Sequence, residues 1–122
     1  MAGKIVADTL EHSTAGSIAT NYVVEGSAKA WVNLNQTSFG ILESFSVSSA
    51  SDVGAGRATA NLTSAMNSGD FAVSVGGFIE AFAQHSVGWS STASSYEVWA
   101  SNGSTAYSDT REITGVAMGD LA

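Results

Sequence analysis

Cysteine and proline are both missing from these 122 residues. Without cysteine there is no disulfide framework, no thiol nucleophile and no thiolate metal site, so packing alone must hold the fold, and cysteine usage says nothing of the redox compartment. Without proline the turns fall to 13 glycines and to Asn and Asp. Cations are scarce as well: Lys4, Lys29, Arg57 and Arg111 face 11 carboxylates, for a net charge of −7. Neutralising phosphates needs clustered Lys and Arg, and these four are scattered, so no nucleic-acid partner is expected. No apolar run approaches the roughly 18 residues of a membrane span, and residues 1–14 lack the h-region of a secretory signal. The expectation is synthesis in the cytoplasm with no membrane insertion.

What is present is hydroxyl. Charged residues make up 12% of the chain, half of the usual share of about 25%, while 20 Ser and 10 Thr carry most of the polarity. The length suits one domain that buries roughly two thirds of its unfolded surface.

Apolar residues recur with period two rather than 3.6. Residues 4–9, 18–25, 28–34, 41–47, 57–63, 71–75, 78–87, 95–101 and 111–118 read as strands. FIEAFAQHSV (78–87) is equally compatible with a short helix through Phe78, Ala81 and Phe82. Turn residues separate these segments, and Asp52-Val53-Gly54-Ala55-Gly56 reads as a hairpin turn with a bulge. Short strands at roughly ten-residue spacing predict an all-β fold, an antiparallel β-sandwich of jelly-roll-like or Ig-like kind. Residues 8–20 have no clear period and predict an extended N-terminal arm. The expected organisation is therefore an arm over 1–20 and a single domain over 21–122.

Residues suited to chemistry are dispersed. His12 and His85 are isolated, with no HxH or HExxH spacing, which argues against a zinc site. No Gly-x-Ser-x-Gly elbow accompanies the serines. Glu43, Glu80, Glu97 and Glu112 fall within predicted strands, with no spacing that defines a catalytic pair, and the ordinary reading is that they are solvated. Gly54-Ala55-Gly56-Arg57 lacks the following Lys-Ser/Thr of a phosphate loop. The N-x-S/T triplets at Asn35, Asn61 and Asn102 imply no glycan without a secretory signal. No enzymatic activity, cofactor or metal is expected.

One strand resists the simple pattern. In SAKAWVNLN (27–35), Ala28, Ala30, Val32 and Leu34 share one face and Lys29, Trp31, Asn33 and Asn35 the other. The second face should be wet, yet it carries a tryptophan, which is costly to expose. Trp31 requires cover from a neighbouring subunit, from the other sheet of its own fold, or from the arm. Phe45, on the 41–47 strand, is expected in the core. GWSSTASSYEVWA (88–100) brings Trp89 and Trp99 near small hydroxyl residues, a composition suited to a contact loop, or simply to a flexible one.

Gly26-Ser27-Ala28-Lys29-Ala30-Trp31-Val32-Asn33, Ser44-Phe45-Ser46-Val47-Ser48-Ser49, Asp52-Val53-Gly54-Ala55-Gly56 and Thr59-Ala60-Asn61-Leu62-Thr63-Ser64-Ala65-Met66 together resemble the distal β-domain of tail-fibre and tail-appendage proteins of aquatic tailed bacteriophages. Val116 to Ala122 resembles that family's terminal strand. The resemblance covers about a third of the chain directly. It departs at Ala58 and Ala60, where the family has bulky side chains, and this suggests a face packed on backbone or on a neighbouring subunit. Such domains are virion exterior modules, usually trimers, and trimerisation would cover Trp31.

A tail fibre carries an attachment region and a shaft ahead of this domain, and neither is seen here. The expectation is accordingly a homotrimeric capsid decoration (cement) protein on the virion exterior, assembled in the host cytoplasm and partnered by the major capsid protein or another virion protein. The alternative is a receptor-binding tip recognising a host surface glycan or protein. The residues singled out are Lys29, Trp31, Ala58 and Ala60 for a subunit interface, Ile5, Val6, Asp8 and Glu11 for arm contacts, and Trp89 and Trp99 for an exposed binding loop.

Overall fold

The computed structural model describes residues 3–77, 85–101 and 106–122, and of residues 85–90 the backbone. A short hairpin of β1 (Thr9–His12) and β2 (Gly16–Ala19) leads into helix α1 (Thr20–Gly26). The strands β3 (Ala28–Asn35), β4 (Gly40–Phe45), β5 (Val47–Gly54), β6 (Arg57–Leu62), β7 (Ala72–Gly77), β8 (His85–Thr92), β9 (Ser95–Ser101) and β10 (Ile113–Met118) follow. They form two four-stranded antiparallel sheets, in the orders β4-β3-β10-β7 and β5-β6-β9-β8. The chain is thus mostly β, as its period of two predicts.

The period translates directly into burial. In β3, Ala30, Val32 and Leu34 are buried while Lys29, Trp31, Asn33 and Asn35 are only partly so. The same alternation places Ala58, Ala60 and Leu62 of β6, Tyr96, Val98 and Ala100 of β9, and Ile113 and Ala117 of β10 in one hydrophobic cluster shared by both sheets. Each large aliphatic side chain buried there stabilises the fold by about 1.5–3 kcal/mol.

Tyr96 is the largest fully buried side chain, and its neighbours are shaped around it. Ala60 is its direct cross-strand partner, and Ala50 lies opposite Ala60 on the far side. From the other sheet Gly115 approaches so closely that a Cβ there would stand 2.8 Å from the Tyr96 ring. The Tyr96 hydroxyl donates to the Gly115 carbonyl at 3.0 Å. This corrects the interface reading of Ala58 and Ala60: both are fully buried inside the subunit, and they are small because Tyr96 and Val98 beside them fill the space.

Five further expectations change. Residues 41–47 are not one strand: Ser46, at φ 56°, turns the chain left-handed, so β4 joins the first sheet and β5 the second. Phe45, just before this corner, consequently faces outward and is 56% exposed. Residues 18–25 are not a strand either, because the β hydrogen bonding ends at Ala19 and α1 takes over. Of the strand expected over 4–9, only Thr9 is in one, and the body of two sheets starts at Ala28, after α1, rather than at residue 21. The expectation for 78–84 lies outside the described residues, while residues 85–87 open β8.

The bulged hairpin at residues 52–56 is as predicted. A register shift between Asp52 and Gly54 precedes the Ala55-Gly56 turn, and Gly54 and Gly56 have φ of 138° and 64°. The segment after residue 105 is pinned beside this turn: the Gly56 amide donates to Asp109 Oδ1 at 2.6 Å, and the Ser108 amide donates to the carbonyl of Ala100 at 3.1 Å, whose own amide donates to the Gly56 carbonyl at 2.7 Å.

Candidate functional site

The outward face of the first sheet contains an apolar row that crosses three strands and ends at a serine on the fourth. The register sets Phe45 of β4 beside Trp31 of β3, Trp31 beside Val116 of β10, and Val116 beside Ser74 of β7. Trp31 and Val116 are half-buried by their neighbours, and Phe45 stands proud at the sheet edge. Within the subunit, then, Trp31 is largely but not completely covered. Beyond Phe45, the edge strand β4 exposes Ile41 and Leu42 as well. An edge strand combining unpaired backbone groups with exposed large apolar side chains is a template for association.

The next row along the same face is polar: Glu43, Asn33, Thr114 and Gly76. Asn33 Nδ2 donates to Glu112 Oε1 at 2.6 Å, and the Thr114 hydroxyl donates to the Gly76 carbonyl at 3.2 Å. Lys29 does not join the aromatic row. A bulge sets Met118 opposite Ala28 and leaves Lys29 between paired positions. Its ammonium donates to the Ser27 carbonyl and hydroxyl, at 2.8 Å each.

The N-terminal segment is a second unsatisfied surface. Its packing is internal, β1 on β2 and α1 on β2, tied by the Thr20 amide donating to the Asp8 carbonyl and the Thr20 hydroxyl to the Ala7 carbonyl. Ile5 and Val6 are 90% and 82% exposed, and the paired Leu10 and Ile18 are nearly half exposed. Asp8 and Glu11 are exposed too. Lys4, Ile5, Val6, Leu10, Thr20, Val23 and Val24 line an open, largely apolar hollow of about 390 Å³. An isolated two-stranded hairpin is marginal in water, so this segment, with none of its residues buried, needs something to rest on.

The outward face of the second sheet holds a compact polar and aromatic group. Arg57 Nη2 donates to Glu97 Oε2 at 3.1 Å, and Trp99 Nε1 donates to the same oxygen at 2.5 Å. The Arg57 guanidinium lies 4.7 Å from the Trp99 ring centroid and 5.9 Å from that of Tyr107, which meets Trp99 edge-on at 5.3 Å. Trp99 lies in the strand expected over 95–101, paired with Arg57 and Val87, and not in an exposed binding loop. Trp89 also lies in a strand, β8, at the register position opposite Glu97. Tyr107 was missed by pattern reading, because contact across 50 residues with Arg57 has no local signature.

Among the described residues, no three His, Cys, Asp or Glu side chains converge as metal ligands. His12 Nδ1 accepts the Ala15 amide at 3.1 Å and the Thr14 amide at 3.3 Å, a turn-closing role in the β1–β2 hairpin. Glu97, on β9, is held by Arg57 and Trp99, whereas Glu112, just ahead of β10 rather than within a strand, is held by Asn33 of the other sheet. No helix among the described residues is long and apolar enough to cross a membrane.

Comparison with known protein families, curated proteins and solved structures finds no match to this chain.

Proposed function

We propose that this chain is a structural component of a tailed-bacteriophage virion: a homotrimeric β-sandwich that decorates and cements the outer capsid shell. The observation that carries the reading is the outward row Phe45–Trp31–Val116 beside the apolar edge of β4, a surface suited to burial by association. Interfaces are enriched in such aromatics, and a half-buried Trp flanked by an exposed Phe is a typical anchor. The resemblance carried by residues 26–66 supports the virion assignment, and the net charge of −7 suits a position outside the packaged DNA. The partners are two further copies of the chain and a shell protein, with no nucleic acid, membrane insertion, cofactor or catalysis involved.

A second reading, a receptor-binding tip for a host surface glycan or protein, is favoured by the Arg57–Glu97–Trp99–Tyr107 group. Its exposed Tyr107 ring and hydrogen-bonding carboxylate on a rigid sheet are the elements of a polar ligand platform. Sedimentation of purified protein with undecorated shells separates the two. Saturable binding at hundreds of copies per shell supports decoration. Absence from shells, with labelled protein found at tail tips, supports the receptor-binding reading instead.

A further inference from the structure

We propose that the hollow of the N-terminal segment receives Phe45 and the neighbouring β4 edge of a second copy of this chain, so that subunits join arm to face, head to tail. The inference rests on the homotrimeric reading and names the contact that builds the trimer. Its first support is shape. The hollow lined by Ile5, Val6, Leu10, Val23 and Val24 is concave and apolar, and at about 390 Å³ it is roomy enough for an aromatic side chain. Phe45, 56% exposed at the end of the β4 edge, is a protruding apolar knob, with Leu42 53% exposed on the same strand. Anchors of this kind dominate interface energetics when they fill a pocket and are desolvated.

The second support is charge. Lys4, on the rim of the hollow, is the one cation among residues 1–26, and Glu43, two residues from Phe45 and on the same outward face, is the one charged residue of β4. The third is exposure: Ile5, Val6 and Val24 at the hollow are 90%, 82% and 55% exposed, and Leu42 and Phe45 on β4 are 53% and 56% exposed, apolar surface that a second copy would remove from water.

The contact belongs between copies rather than within one. Ser27, the single residue between α1 and β3, is extended at φ −83° and ψ 150°. Bringing the hollow onto Phe45 of the same chain would require a reversal within that one residue, fewer than the two central residues of a tight turn. Arm and face are different surfaces of the same subunit, so the contact is heterologous, and a heterologous contact closes at three copies when the rotation between subunits is 120°.

Complementation tests this directly by light scattering on purified proteins. The arm variant Val6→Asp/Val23→Asp and the face variant Phe45→Asp should each drop from about three times 12.4 kDa to one. Their equimolar mixture should rise to twice 12.4 kDa, because one partner keeps its hollow and the other its Phe45. Circular dichroism checks each fold, and Leu42→Asp replaces Phe45→Asp if the latter does not fold. A trimeric wild type whose variants stay trimeric, or whose mixture stays monomeric, overturns the arm-to-face contact and leaves the trimer standing. A monomeric wild type overturns the trimer and this contact together.

Discussion

Alkaline titration should expose Tyr96, a buried ionisable group on which the fold leans. Tyr96 is fully buried between the sheets, and burial pushes its hydroxyl up to about 12 from an ordinary value of 10. In the unfolded chain the phenol ionises near pH 10, whereas in the folded one it keeps its proton and its bond to the Gly115 carbonyl. Between these values the folded state binds more protons than the unfolded, so stability falls as pH rises. The contribution is complete below about pH 10 and gone by about pH 12. Two pKa units at about 1.4 kcal/mol each give a loss of about 2.7 kcal/mol over that window, or a fall of roughly 10 °C in Tm for a domain of this size. The assay is a series of thermal melts from pH 8 to 12 on wild type and on Tyr96→Phe, with absorbance at 295 nm following the phenolate. Removing the hydroxyl should cost about 1 kcal/mol at pH 8 through the lost hydrogen bond, and should then make the variant less sensitive to alkali. The two stability curves should therefore converge or cross above pH 11. Parallel curves over the whole range would show that Tyr96 is not the titrating group and refute the reasoning.

Other perturbations separate folding from assembly. Leu34→Ala, at a fully buried position, should cost about 2–5 kcal/mol of folding stability, read as an early denaturant midpoint. Trp31→Ala should leave the fold largely intact and weaken association by about 2 kcal/mol, seen as a concentration-dependent loss of mass in sedimentation equilibrium; a trimer that melts early would instead assign Trp31 to the core. Gly56→Ala should destabilise by at least about 2 kcal/mol, since a Cβ at φ 64° would collide with the Ala100 carbonyl and stand 2.6 Å from the Ser108 amide nitrogen; a melt within a degree of wild type would contradict that geometry. Deleting residues 2–26 should preserve the two-sheet body, whose buried residues all lie beyond Ser27, and should abolish assembly; aggregation or loss of β circular dichroism would show that the segment is needed for folding.

The local pattern alone determined a good part of this molecule. Side chains alternate across a strand whatever the strand pairs with, so β3, β6, β9 and β10 and their buried residues were legible from period two, and the β5–β6 turn from its glycines. The outward position of Trp31 followed from the same rule. Tertiary structure decided the remainder, because the deciding contacts are distant in sequence. Ser46 looks like any strand serine, and its left-handed turn arises from sending β4 and β5 to different sheets. That corner, not hydropathy, turns Phe45 outward next to Trp31. Ala58 and Ala60 are small because Tyr96, more than 30 residues later, occupies the volume between the sheets. Residues 20–26 are rich enough in β-branched side chains to read as strand, but with no strand beside them their backbone groups pair locally as a helix. The Arg57–Glu97–Trp99–Tyr107 group likewise exists only because β6 and β9 pair in one register and the segment after residue 105 folds back over them.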